Sequence, residues 1–408
     1  MSTASAAVLA SRPVTTAHSR RLQGVDGLRA LAALWVVLFH IHAFSGAHVG
    51  LIPGLDLFLR SGSTGVSLFL VLSGFCLYLP FAGYRNERFQ TKAFLIRRCR
   101  RLLPAYYVSL AITLAVVLIA GTNLGLASYS GWPAVEQLLT HATMTHILFP
   151  KTFYALNGAF WSLALEWQLY LTLPLLIIGI RRWGLAWTAA AAIAVNVAYR
   201  LLLFLMISEH RVAADSLLAT AVLPNQLPGR WAEFVFGMVA AELYQAGVLV
   251  RLRLTLAVPV MVALVGVSLV SVGNQWSHLL FGGVFVLLLA VVLKADNVIA
   301  TVISWRQLAR LGTMSYSLYL VHQPIVQALA YLLHSDAGLS PDATFMVLIS
   351  LLPLIVFMAW LLFVSVERYS LTSSGDGDRS WWETTGARVA SPVRRPVLAL
   401  AAVTSERK

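Results

Sequence analysis

Arg29 and His40 lie in the first strongly apolar stretch of the chain, Leu28-Arg-Ala-Leu-Ala-Ala-Leu-Trp-Val-Val-Leu-Phe-His40, eleven residues apart. At about 100° per residue that separation is close to three helical turns. Both side chains therefore leave one stripe of a helix, about 16 Å apart along its axis. An arginine and a histidine inside a membrane helix cost several kcal/mol unless a partner or substrate compensates, which makes the pair a functional-site hypothesis. Histidine titrates near neutral pH and can move a proton or attack as a nucleophile. Arginine stays charged and offers a planar fork of donors to a phosphate or carboxylate. Glu166, six residues into a later apolar span, and His322, near the middle of another, are further ionisable groups at comparable depth. A carboxylate so placed faces the bundle interior and pairs there, either with His40 or with an arginine.

The elements that would carry these groups follow from composition. Of 408 residues, 59% are hydrophobic and 12% charged, about half the charge of a soluble domain, so the expected fold is all-α, a polytopic membrane bundle. Ten spans are readable, at 28–46, 63–82, 102–120, 160–180, 184–206, 230–246, 254–272, 277–293, 311–333 and 344–366, each near the roughly 20 residues that cross a bilayer. The sixth is the weakest, being short and carrying Glu233 and Glu242. With the N-terminus in the cytoplasm, 25 of the 30 Lys and Arg fall on the cytoplasmic side. Arg60, Lys151, Arg211 and Arg230 fall outside, and Arg200 lies within the fifth span. That asymmetry predicts a multi-pass cell-membrane protein with both termini cytoplasmic.

The net charge of +13 resides at span ends, so it reads as topology and excludes a nucleic-acid partner. The two cysteines, Cys76 and Cys99, make no disulfide framework. Three segments are expected: a cytoplasmic 1–27, acting as part of an uncleaved signal-anchor, a membrane domain over 28–366, and a cytoplasmic, largely disordered tail over 367–408. The stretch 121–158, with Tyr129, Trp132, His141, His146 and Tyr154, is an outer loop long enough to fold over the outer mouth. His141 and His146 lack the spacing of a helical metal pair, and no metal site is expected. There is no Gly-x-Ser-x-Gly elbow, so Ser73 reads as a packing residue beside Gly74.

Five segments resemble the membrane acyltransferase-3 family. Residues 24–40 are similar to its Arg-x10-His helix. Gly65-Val-Ser-Leu-Phe-Leu-Val-Leu-Ser-Gly-Phe75 resembles its second span, and Arg97-Arg-Cys-Arg-Arg-Leu-Leu-Pro104 its Arg-x-x-Arg segment. Phe160-Trp-Ser-Leu-Ala-Leu-Glu-Trp-Gln-Leu-Tyr170 and Leu311-Gly-Thr-Met-Ser-Tyr-Ser-Leu-Tyr-Leu-Val-His-Gln-Pro324 complete the set, in the family's order. Ser67 departs from the family's frequent Asp, and Val321 from its usual aromatic before the motif His. Many relatives carry a C-terminal secreted-hydrolase-like domain, for which this sequence is expected to be too short.

The resemblance implies an acyl-coenzyme A-dependent O-acyltransferase that binds no cofactor, with acyl-coenzyme A as donor substrate. The implied acceptor is a hydroxyl of a carbohydrate, a glycolipid or a macrolide-type natural product. It implies catalytic roles for His40, Arg29 and Glu166. Arg98 and Arg101 would take the coenzyme phosphates, and His322 and Tyr316 would line the substrate site. His40 suits either removal of the acceptor's proton or transient acceptance of the acyl group, and the sequence favours neither. The competing class is a transporter or exporter that uses Arg29, His40, Glu166 and His322 as an ion relay. Paired internal repeats would support it, and none is evident.

Overall fold

The computed structural model describes residues 13–48, 54–83, 89–120, 132–270, 276–294 and 296–371. They form α1 (Pro13–Ser45), α2 (Leu55–Arg60), α3 (Gly65–Tyr78), α4 (Thr91–Ala120), α5 (Trp132–Ala142), α6 (Phe160–Trp183), α7 (Leu185–Ser208) and α8 (Leu227–Gln245). These are followed by α9 (Leu254–Val270), α10 (Ser277–Leu293), α11 (Val298–Ile303), α12 (Arg306–Thr313), α13 (Ser315–Ser335), α14 (Pro341–Ser350), α15 (Leu352–Leu362) and α16 (Arg368–Leu371). No strand occurs among the described residues. Among the described residues, six segments are long and apolar enough to cross a bilayer: Gln23–Ser45, Leu55–Phe81, Thr91–Val117, Phe160–Trp183, Leu185–Ser208 and Leu352–Ser370. Ten were expected. A helix occupies each of the other four spans, but α8 and α13 fall outside the apolar set and α9 and α10 are short.

Three boundaries differ from the sequence reading. The first helix already includes Pro13, the first described residue, fifteen residues before the expected span. Helix α4, which holds the third expected span, begins at Thr91, so the Arg97–Arg101 run is helical rather than loop. The last span is interrupted at Leu351, where Pro353 has no N–H to continue the ladder and Leu354 N–H turns back to the Leu351 carbonyl at 3.0 Å. Helix continues through a π turn at Phe363–Glu367 to Leu371. Residues 1–12 and the tail expected beyond Leu371 lie outside the described residues, as does 121–131 within the expected outer loop.

Helix α1 is the axis of the bundle, packed against α3, α10, α12, α13 and α14. Two apolar clusters flank it. The larger holds Val25, Leu28, Ala32 and Val36 with residues of α3, α4, α6, α8 and α10. The smaller holds Ala33, Val37 and Ile41 with Leu318, Val326, Leu348 and Ile355. In lipid the hydrophobic effect does not drive helices together, so close backbone approach at small residues does much of the work. Gly74 of α3 and Gly237 of α8 meet in this way. A Cβ on Gly74 would run into the Phe234 carbonyl, and one on Gly237 into the Val71 carbonyl. Gly74→Leu is expected to cost at least about 1–3 kcal/mol, as overpacking does. Thermal unfolding of the solubilised protein checks this; a melting temperature equal to wild type would contradict the packing.

Candidate active site

Four helices surround one cavity of about 540 Å³, counting its open mouth. It is lined by Arg29 from α1, Phe69 and Ser73 from α3, Ser162 and Glu166 from α6, and Tyr316 and Tyr319 from α13, with apolar residues between them. Glu166 Oε1 accepts from the Tyr170 hydroxyl at 2.5 Å and from the Ser73 hydroxyl at 3.5 Å. The Ser162 and Tyr319 hydroxyls lie 2.6 Å apart. Tyr316 donates to the Leu102 carbonyl at 2.7 Å, tying α13 to α4. Arg29 and Glu166 are close enough to interact electrostatically, and Arg98 interacts with Tyr170, Arg101 and Glu166.

Arg98 and Arg101 stand beside this cavity without lining it. The Arg98 guanidinium lies 5.7 Å from the Phe94 ring centroid, and its Nε is buried with no hydrogen-bond partner among the described residues. Glu367, fully buried, accepts from Ser317 at 2.5 Å and faces the charges of Arg101 and Arg29. The Arg29 end of the bundle thus gathers three arginines and the carboxylates Glu166 and Glu367.

His40 sits elsewhere. It is half-buried, does not line the cavity, and has His322 rather than Glu166 as its partner. His322 Nε2 is 3.2 Å from His40 Nδ1, with ring centroids 4.9 Å apart. Tyr319, which lines the cavity, links the two regions by contact, its ring 5.4 Å from that of His322 and 6.0 Å from that of Phe69. Pro324 explains how α13 is held there. It has no N–H, so the Leu320 carbonyl, four residues back, loses its intrahelical donor. Ser109 Oγ and Asn157 Nδ2 donate to that carbonyl instead, at 3.2 and 2.8 Å. The helix is thereby pinned two residues before His322.

The profile described as an acyltransferase domain matches residues 22–365. The chain belongs to the acyltransferase-3 family. Family membership and the six long apolar helices make it a multi-pass membrane protein. It is similar to YrhL of Bacillus subtilis, provisionally named a peptidoglycan O-acetyltransferase, at 28% identity over 351 residues, 76% of this chain and 49% of that one. It is also 25% identical over 334 residues to the O-acetyltransferase OatA of Staphylococcus aureus, 75% of this chain and 51% of the relative. A match of 178 residues to the peptidoglycan O-acetyltransferase OatA of Listeria monocytogenes reaches 30%, over 41% of this chain and 26% of the relative. The chain spans about half the length of the first two relatives. No solved structure matches it.

Set into this acyltransferase-3 chain is a second buried charge cluster that the sequence reading passed over. Arg230 of α8 pairs with Glu233 at 2.8 Å and donates to Ser67 Oγ at 3.1 Å. Arg200 of α7 donates to Asn196 Oδ1 at 3.2 Å and to the Gly229 carbonyl. All three charged side chains are almost fully buried. The Arg230–Glu233 spacing of three residues, which puts both on one helical face, was the available signal. Arg230 had been counted as an outer-side cation and Glu233 as a weakness of its span.

His141 and His146 stand apart from the cavity. His141 and His146 stack at 4.2 Å with planes 4° apart, both fully buried. Burial lowers both below the usual histidine range, and His146, beside His141, falls to about 3. Between pH 6.5 and about 3 the unfolded chain binds a proton that folded His146 refuses. Stability therefore falls with acidification through that window, by up to about 1.4 kcal/mol per pH unit. His146→Phe is expected to flatten the acid limb of melting temperature against pH; an unchanged slope would show that the window belongs to other groups.

Proposed function

We propose that this chain is an O-acyltransferase that moves an acyl group from acyl-coenzyme A to a hydroxyl of a carbohydrate, with His40 as the reacting base or nucleophile. The names of its relatives favour an acetyl group and a cell-wall sugar over a glycolipid or macrolide acceptor. The observation that carries the reading is a histidine pair standing one aromatic ring beyond a cavity lined by Arg29 and Glu166, in a chain of this family.

The positive-inside asymmetry puts the Arg29 end toward the cytoplasm, where acyl-coenzyme A is found. Arg98 and Arg101 then take the coenzyme phosphates by charge-assisted hydrogen bonds. The thioester reaches past Tyr319 toward His40, while Arg29 and Glu166 meet the donor in the cavity. As the acceptor oxygen attacks the thioester carbon, its proton passes to His40 and then to the departing sulfur, which leaves as free thiol. If His40 instead takes the acyl group first, the acceptor discharges it in a second step.

The test is the dependence of thiol release on acyl-coenzyme A concentration. Hydrogen bonds to charged groups contribute about 1.5–3 kcal/mol. Arg98→Ala and Arg101→Ala are therefore expected to raise KM for acyl-coenzyme A by about tenfold or more each, since 1.4 kcal/mol is tenfold. Unchanged KM in both variants would remove the phosphate role. Absence of thiol release from wild type would remove the reading itself.

A further inference from the structure

We infer that His322 is a positioning residue that, together with the Val36 carbonyl, accepts from His40 Nδ1–H and so leaves His40 Nε2 as the reacting nitrogen. The inference rests on the acyl-transfer reading above for its chemical consequence, but the tautomer follows from geometry alone. A carbonyl oxygen only accepts, so a ring nitrogen within hydrogen-bond distance of one carries the proton. His322 Nδ1 lies 2.8 Å from the Tyr319 carbonyl and 3.2 Å from that of Leu318. It therefore holds the proton of the neutral ring, and His322 Nε2 is a bare acceptor. That acceptor faces His40 Nδ1 at 3.2 Å. His40 Nδ1 is itself 2.9 Å from the Val36 carbonyl, so it also carries its ring's proton and shares it between Val36 and His322. Each ring then has one proton, with no two donors facing. The lone pair that remains belongs to His40 Nε2.

The arrangement also decides where a second proton goes. On His322 it would set Nε2–H against the His40 Nδ1–H, two donors 3.2 Å apart. On His40 Nε2 it leaves every contact satisfied. His322, wholly buried on α13, thus accepts from the imidazolium that forms when His40 takes the acceptor's proton, as a carboxylate does in a serine-protease triad. Both chemical routes use the same atom. In general-base transfer the acceptor O–H bond breaks as Nε2–H forms, the ester C–O bond replaces the thioester C–S bond, and the proton ends on sulfur. In covalent transfer Nε2 bonds the acyl carbon as C–S breaks, and the acceptor oxygen then displaces it.

The test compares His322→Leu with His322→Gln, whose amide oxygen can still accept from Nδ1–H. The Val36 carbonyl still holds the Nδ1 proton in either variant, so what His322→Leu removes is one hydrogen bond to the charged imidazolium, which is worth roughly tenfold to a hundredfold. The variant is expected to lower kcat by about tenfold or more with KM for acyl-coenzyme A unchanged, and His322→Gln to restore most of that. A purely structural His322 would change kcat in step with melting temperature and draw no rescue from Gln. Solid-state NMR of ring-¹⁵N-histidine wild-type protein supplies a second readout, independent of folding in the variants and of catalysis. It is expected to find His40 neutral with Nδ1 protonated and coupled to a bare His322 Nε2. A His40 protonated at Nε2, or full kcat in a folded His322→Leu, would overturn the inference. Absence of thiol release from wild type with the NMR assignment intact would instead count against the acyl-transfer reading alone.

Discussion

Replacing His40 with alanine is expected to lower kcat for acyl transfer by about 10²–10⁴-fold, the usual contribution of a positioned base, while KM for acyl-coenzyme A stays within about threefold. The split follows from where the groups stand. On the proposed reading the donor's charges are met at the Arg29 end, by groups in and beside the cavity, and His40 does not line that cavity. Its removal therefore takes away an interaction made in the transition state and little ground-state binding. Helix α1 should survive the change, because Val36, Val37 and Ile41 are packed in the two apolar clusters on either side of it. His40 itself stacks on Phe44 at 5.9 Å and meets Phe39 and His322 edge-on, so a modest fall in melting temperature is expected. A folded His40→Ala protein that retains wild-type kcat would show that the chemistry occurs elsewhere.

Glu233→Ala is expected to be the most damaging single change to stability away from the cavity, at about 3–5 kcal/mol. Glu233 sits 2.8 Å from Arg230, with Arg200 also near, and each side chain is about 1% exposed. Truncation leaves two buried guanidiniums with only neutral acceptors: Ser67, Asn196 and the Gly229 carbonyl. The cost arises from the charge left behind rather than from the lost pair. The double variant Glu233→Ala with Arg230→Met should therefore recover most of the loss, as apolar replacement of a buried pair usually does. Melting temperatures of the two variants decide the matter. Equal stability of wild type and Glu233→Ala would mean that the pair is screened by water.

How far the sequence discloses all this depends on the scale of the question. Periodicity put Arg29 and His40 on one stripe, and both lie on the single helix α1. It could not say which neighbour each stripe meets, because helix pairing is set by close approaches such as Gly74 against the Phe234 carbonyl. For that reason Glu166 was assigned to His40 as readily as to an arginine. In the structure it lines the cavity with Arg29, and His40 meets His322. Arg200, Arg230 and Glu233 were lost for a different reason. A window average of hydropathy treats a buried ion pair as interrupting a span, whereas in the fold the opposite charges satisfy one another within it. The Arg97–Arg101 run looked like a loop because its charge hides helical propensity, although arginine is a good helix former.

The most direct test of the central claim follows the acyl group itself. Purified wild-type protein in lipid vesicles would be given acyl-coenzyme A labelled in the acyl group, together with a peptidoglycan-type glycan acceptor. The account predicts free thiol and acceptor-bound, base-labile label in equal amounts, both abolished in His40→Ala. Thiol-free incubations across several acyl chains and acceptors, with label instead moving intact across a vesicle membrane, would contradict it and point to transport.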